Sequence, residues 1–172
     1  KFSCIGIFGP NSRKFLTKLF GDYFSKENFK FARGRYITFS KTKIWFQRLS
    51  FVGELGWEIY IPIEKTKEIF NKIYNLGKKS NLGYAGMHTL DILRLEKKFL
   101  HWGHDITSET NPIEAGLSFA INLKNKNYFI GRNSIEKIIQ KPLKKQLDLF
   151  SLNKVCKPGK PLLLHDEPIY SK

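Results

Sequence analysis

Residues 93–117 read LRLEKKFLHWGHDITSETNPIEAGL, and residues 51–58 read FVGELGWE. In the first string, a basic helix-like segment runs into Trp102-Gly103-His104-Asp105, a turn composition. Asn111-Pro112-Ile113-Glu114-Ala115-Gly116-Leu117 then opens an extended run. In the second, the turn Gly53-Glu54-Leu55-Gly56 delivers a strand over Trp57 to Pro62. Alternation puts Glu58 and Tyr60 on one face of it and Trp57, Ile59 and Ile61 on the other. Together the two strings set strands in succession beside separate helices, an α+β arrangement of antiparallel sheets with packed helices.

Working outward, residues 2–9 predict a short buried strand. Pro10-Asn11-Ser12 then opens a helix to about Phe20, with Phe15, Leu16 and Leu19 on one face. Gly21-Asp22 stops it, and residues 23–34 read mostly as loop. Tyr36 to Ser40 and Ile44 to Ser50 flank Lys41-Thr42-Lys43 as a hairpin. Glu64 to Leu76 is the clearest helix, with Ile69, Phe70, Ile73, Tyr74 and Leu76 as its stripe and Gly77 as its C-cap. A second helix covers Gly86 to about Phe99, with Asp91 and Arg94 placed to pair. Residues 117–124 predict a strand, 124–127 a turn, and Ile130-Gly131-Arg132-Asn133 the start of a helix to about Gln140. After Pro142 the composition turns to strand: 146–152, then 162–164 beyond the Lys157-Pro158-Gly159-Lys160-Pro161 loop, then a turn at 165–168. The expected division is a first domain over 1–140 and the beginning of a β module over 141–172.

The charge of +15 on 172 residues comes mainly from lysines, scattered singly and in pairs such as Lys78-Lys79 and Lys144-Lys145. A nucleic-acid module needs its basic groups clustered and interleaved with aromatics, so the dispersion argues for a lysine-rich solvated surface. No apolar run approaches the roughly 20 residues of a membrane span. Cys4 and Cys156 form no CxxC pair and read as idle thiols of a reducing compartment. The chain opens on Lys1 without an initiator Met and is expected to be a fragment.

Several residues could carry chemistry. Glu54 and Glu58 flank a glycine-containing turn, and a carboxylate there could accept two parallel N–H bonds from a heterocycle edge. They could equally be solvated acids. Phe51, Trp57 and Tyr60 surround them in sequence and could stack on a planar ligand or belong to the core. His101, His104 and Asp105 invite a metal, but Trp102-Gly103 ends the helix that would make them converge, so none is expected; Asp105 reads as a turn or cap residue. Gly9-Pro10-Asn11-Ser12 is no phosphate-binding loop, though a helix start can hold an anion.

The motifs themselves resemble a known family. Gly9-Pro10-Asn11-Ser12-Arg13, Gly53-Glu54-Leu55-Gly56-Trp57-Glu58-Ile59, Leu93-Arg94-Leu95-Glu96-Lys97, Trp102-Gly103, Pro112 to Leu117 and Phe129-Ile130-Gly131-Arg132 stand in its order. The chain resembles the folate-binding aminomethyltransferases, represented by the T-protein of glycine cleavage. Glu96-Lys97 followed by Trp102-Gly103 is closest to the version fused behind the flavin domain of dimethylglycine and sarcosine dehydrogenases. Gly159-Lys160-Pro161 to Pro168 resembles the first hairpin of that family's C-terminal β-barrel.

The resemblance implies tetrahydrofolate as cofactor, with Glu58 gripping the pterin edge and Phe51 and Glu54 as further folate contacts. FAD would belong only to an upstream domain. Phe51 stands where many relatives carry Tyr, and Leu90 where free T-proteins often carry Arg. The family's catalytic Asp matches nothing here, so no catalytic residue is assigned and the chain alone is expected to be inactive. The implied partners are folate and a methylamine substrate, without nucleic acid or membrane. The implied reaction captures a methylene group from a dimethylglycine- or sarcosine-like amine, or from an aminomethyl carrier, as 5,10-methylenetetrahydrofolate. The implied location is cytoplasmic, or the mitochondrial matrix in a eukaryote. Alternatives are a free glycine-cleavage T-protein or a non-catalytic folate-binding relative in tRNA modification or regulation.

Overall fold

The computed structural model describes residues 1–125, 127–153, 157, 159 and 167–170. They fall into two compact units, Lys1–Thr107 and Ser108–Lys172.

The first unit is a four-stranded antiparallel sheet in the order β1-β4-β3-β2. Its strands are β1 (Phe2–Phe8), β2 (Gly34–Phe39), β3 (Thr42–Gln47) and β4 (Gly56–Pro62). The expected hairpin forms, turning on Ser40 and Lys41, both at positive φ. Alternation then sorts the side chains. Ile7, Ile37, Ile44, Phe46, Trp57, Ile59 and Ile61 are buried on one face. Helices α1 (Ser12–Phe20) and α2 (Thr66–Lys78) cover that face with Phe15, Leu16, Phe20, Ile69 and Ile73. The core is heavily aromatic. Phe24 lies edge-on to Phe46 and Trp57, with centroids 5.2 and 5.4 Å away. At ~25 cal/mol per Å² of apolar surface, each such ring stabilises the fold by about 1.5–3 kcal/mol.

Segment 21–33 contributes more than a loop was expected to. A 3-10 turn over Gly21–Phe24 and the bends after it drive Phe24 and Phe29 fully into the core. Ser12, at the start of α1, donates its hydroxyl to the Leu55 carbonyl at 2.9 Å and ties that helix to the turn before β4. Gly77 is not a cap: α2 continues to Lys78, and a Cβ at Gly77 would stand 2.4 Å from the Leu82 side chain. The glycine is needed for close approach. Leu76, assigned to the stripe, is exposed.

Helix α3 (Met87–Glu96) carries the expected Asp91–Arg94 pair, 3.1 Å apart. Arg94 is 2% exposed and also bonds Asp105 and the Phe99 carbonyl. Asp105 in turn accepts the His101 N–H at 2.7 Å, so it serves as the cap of the 101–106 turn. Burial works against both charges, yet the bonds outweigh it: Arg94 is held above its ordinary pKa and Asp105 below its own.

In the second unit, Asn111 Oδ1 accepts the N–H groups of Ile113 and Glu114, and α4 (Arg132–Ile139) buries Ile135. Arg132 fastens the start of α4 through the Leu123 carbonyl at 2.9 Å and Glu136 at 2.8 Å. The strand expected at 117–124 is absent. Ser118–Ala120 form a 3-10 turn and Phe119 is exposed. Residues 146–152 likewise form no strand. A strand needs a neighbour to pair with, and no strand lies among the described residues of this unit. No closed barrel forms among the described residues; its expected hairpin falls mostly outside them.

Candidate functional site

The same alternation defines the sheet's other face. It carries Glu58 and Tyr60 from β4, flanked in register by Gly6 and Cys4 of β1 and by Gln47 and Trp45 of β3. The predicted sharing of one face by Glu58 and Tyr60 is what places the acid here. Tyr60 donates its hydroxyl to Glu58 Oε2 at 2.6 Å. That bond, with burial, holds the phenol well above the ordinary tyrosine range, so it stays a donor. It fixes one carboxylate oxygen and aims the group along the face.

Two rings wall this strip. The Phe8 ring lies over Gly6 and Gly56: a Cβ at either would come within 2.3 Å of it. The Trp45 indole lies over Gly34 in the same way and meets Tyr36 edge-on at 4.9 Å. Phe2, Tyr36, Trp45, Gln47 and Tyr60 line an open hollow of about 320 Å³. Flat rings beside a held carboxylate suit a planar ligand that offers N–H groups along its edge.

The other sequence candidates go elsewhere. Trp57 is fully buried on the helix-covered face, beneath the Arg13 guanidinium at 5.1 Å, and is not a stacking surface for the acids. Its place follows from strand parity: it is one residue from Glu58 and so points the other way. Phe51 stacks with Phe99 at 6.5 Å and meets the His101 ring edge-on. Glu54 lines a second hollow of about 420 Å³ beside β1. Leu90 lines that hollow too. Phe8, Gln47 and Trp45 were missed as candidates. Alternation on β1 and β3 could have found them, but only with the strand register in hand. Among the described residues, no group of three His, Cys, Asp or Glu converges on a metal position.

Comparison with known proteins agrees with this architecture. The model of the GCVT N-terminal domain matches residues 1–125. The chain is 35% identical over 147 residues to mitochondrial dimethylglycine dehydrogenase of Mus musculus, covering 86% of the chain and 17% of that protein. It is 34% identical over 148 residues to mitochondrial sarcosine dehydrogenase of Homo sapiens, covering 86% and 16%. It is 30% identical over 168 residues to an aminomethyltransferase of Halothermothrix orenii, covering 98% and 45%. The chain thus spans less than a fifth of the two dehydrogenases. On this match it belongs to the aminomethyltransferase family, as a GCVT N-terminal domain related to dimethylglycine and sarcosine dehydrogenases.

Proposed function

We propose that the chain is the tetrahydrofolate-binding part of a one-carbon transfer enzyme acting on an N-methyl amine of the dimethylglycine or sarcosine kind. The observation that carries this is the Glu58 carboxylate, held by Tyr60 on the open face between Phe8 and the Trp45 slot. A pterin presents an amino group and a ring N–H side by side, and one carboxylate can accept from both. Phe8 and the slot rings offer flat apolar surface for the bicycle. Bound reduced folate would supply the ring nitrogen that takes up the one-carbon unit as 5,10-methylenetetrahydrofolate. This chain's own part is to bind and orient. FAD would be carried by a separate dehydrogenase region. Phe51 and Glu54 enter as outlying folate contacts, one for ring stacking and one for a ligand N–H.

Calorimetric titration with tetrahydrofolate tests the assignment. Glu58→Gln keeps the shape and removes the charge, and should cost on the order of 1.5–3 kcal/mol of binding. Phe51→Ala and Glu54→Gln should each cost less. Unchanged affinity in Glu58→Gln would remove the pterin from this face.

A further inference from the structure

Two side-chain pairs stand next to each other on the ladder between β3 and β4. Trp45 is opposite Tyr60, and Gln47 is opposite Glu58. On each strand the aromatic side chain donates a hydrogen bond to the polar head two residues away. Tyr60 donates to Glu58 Oε2 at 2.6 Å, and the Trp45 indole N–H donates to Gln47 Oε1 at 3.4 Å. The indole is itself held in place: it lies over Gly34, where a Cβ would come within 2.1 Å of it, and it meets Tyr36 edge-on.

The Trp45 bond decides which way the Gln47 amide faces. An indole N–H can only donate, so it selects the amide oxygen and turns Nε2 away; the flipped amide would set donor against donor. Among the described residues, nothing accepts from Gln47 Nε2. Both Gln47 and Glu58 are half-buried. Directly opposed residues have Cβ atoms roughly 5 Å apart, so an amide donor and a carboxylate acceptor can meet one ligand edge together. The complementary edge carries an acceptor beside donors. A 4-oxo pterin has such an edge: its ring carbonyl is followed by a ring N–H and then an amino group. Exchanging the oxo group for an amino group puts a donor in the carbonyl's place and leaves the next ring nitrogen without its hydrogen.

We propose, resting on the assignment of Glu58 to the pterin, that Gln47 is the residue that reads the ring carbonyl. Its Nε2 donates to that oxygen while Glu58 accepts from the N–H and amino groups beside it. The pair makes this face selective for 4-oxo over 4-amino pteridines. A 4-amino group offers Gln47 no acceptor, and a desolvated donor left unpaired costs more than its bond contributes.

Calorimetry on the full chain tests this with tetrahydrofolate and its 4-amino-4-deoxy counterpart, which differ at that one ring position. The unaltered chain should prefer tetrahydrofolate by about tenfold or more. Gln47→Glu keeps an oxygen for the Trp45 N–H and replaces the donor with an acceptor. It should weaken tetrahydrofolate by about tenfold or more and abolish the preference. Gln47→Met removes the donor without adding a charge, and should weaken tetrahydrofolate by about fivefold while leaving the 4-amino compound within about twofold. Equal losses of both ligands in the two variants would make Gln47 only a prop for Trp45 and overturn the proposal. An unchanged preference in both variants does the same, as does the absence of any preference in the unaltered chain, which needs no variant to fold. Glu58→Gln tells this failure from that of the pterin assignment. If it weakens tetrahydrofolate while the Gln47 variants do not, only the carbonyl contact falls; if it too has no effect, the pterin falls with it.

Discussion

On the helix-covered face, Phe46 and Ile59 sit side by side across β3 and β4, both fully buried. One residue further along, on the opposite face, the neighbours are Gln47 and Glu58. The same ladder thus carries a packed apolar pair and a polar, half-buried pair. The buried face is made of branched and aromatic side chains in mutual contact. The open face is made of glycines with rings laid over them. One arrangement excludes water and leaves no room; the other keeps flat surface and a carboxylate within reach of a ligand. On the proposed folate reading, stability and binding can be altered separately on this sheet.

The largest test of that separation is Phe24→Ala against Trp45→Ala. Phe24 touches Phe20, Phe29, Phe46 and Trp57, and its loss should cost about 3–5 kcal/mol in urea unfolding. Trp45 is half-buried on the open face, and its removal should cost about 1 kcal/mol. Equal costs would erase the distinction between the faces.

An acid titration asks whether the sheet or the 94–105 clamp is the acid-sensitive part. The Asp105 carboxyl lies below its ordinary value because the His101 N–H and Arg94 outweigh its burial. A carboxyl depressed in the folded state contributes stability above its unfolded pKa, about 3.9, and loses it as pH falls through the folded value. Urea midpoints should therefore drop on the acid side of about pH 4, and Asp105→Asn should flatten that drop. An unflattened slope would move acid sensitivity elsewhere.

The smallest effect is expected from Tyr60→Phe. It should leave stability within about 1 kcal/mol, yet weaken folate by less than Glu58→Gln does, because the carboxylate loses its anchor but keeps its charge. A larger loss in Tyr60→Phe than in Glu58→Gln would mean that the phenol itself holds the ligand.

Much of this was legible in the sequence. The strands, the hairpin turn and the long helix α2 follow from periodicity, and alternation alone put Glu58 and Tyr60 together. What alternation cannot say is which face the helices will cover, so Trp57 stays open between ring stacking and the core until the fold buries it. Phe24 and Phe29 lie in a segment with no period to betray them, and only the fold shows that they are buried. Residues 117–124 and 146–152 have strand composition, but composition does not supply a pairing partner. Phe8, Gln47 and Trp45 became neighbours of the site through register, which is a property of two strands and not of one.

The strict two-residue period of β4 has a consequence for how this segment can change length. Inserting or deleting a single residue within 56–62 would turn the indole onto the open face and the acid into hydrocarbon, ruining both at once. A change of two residues would preserve the sidedness. Variation in chain length here should therefore come in even steps, or be displaced into the preceding loop, where parity has no meaning.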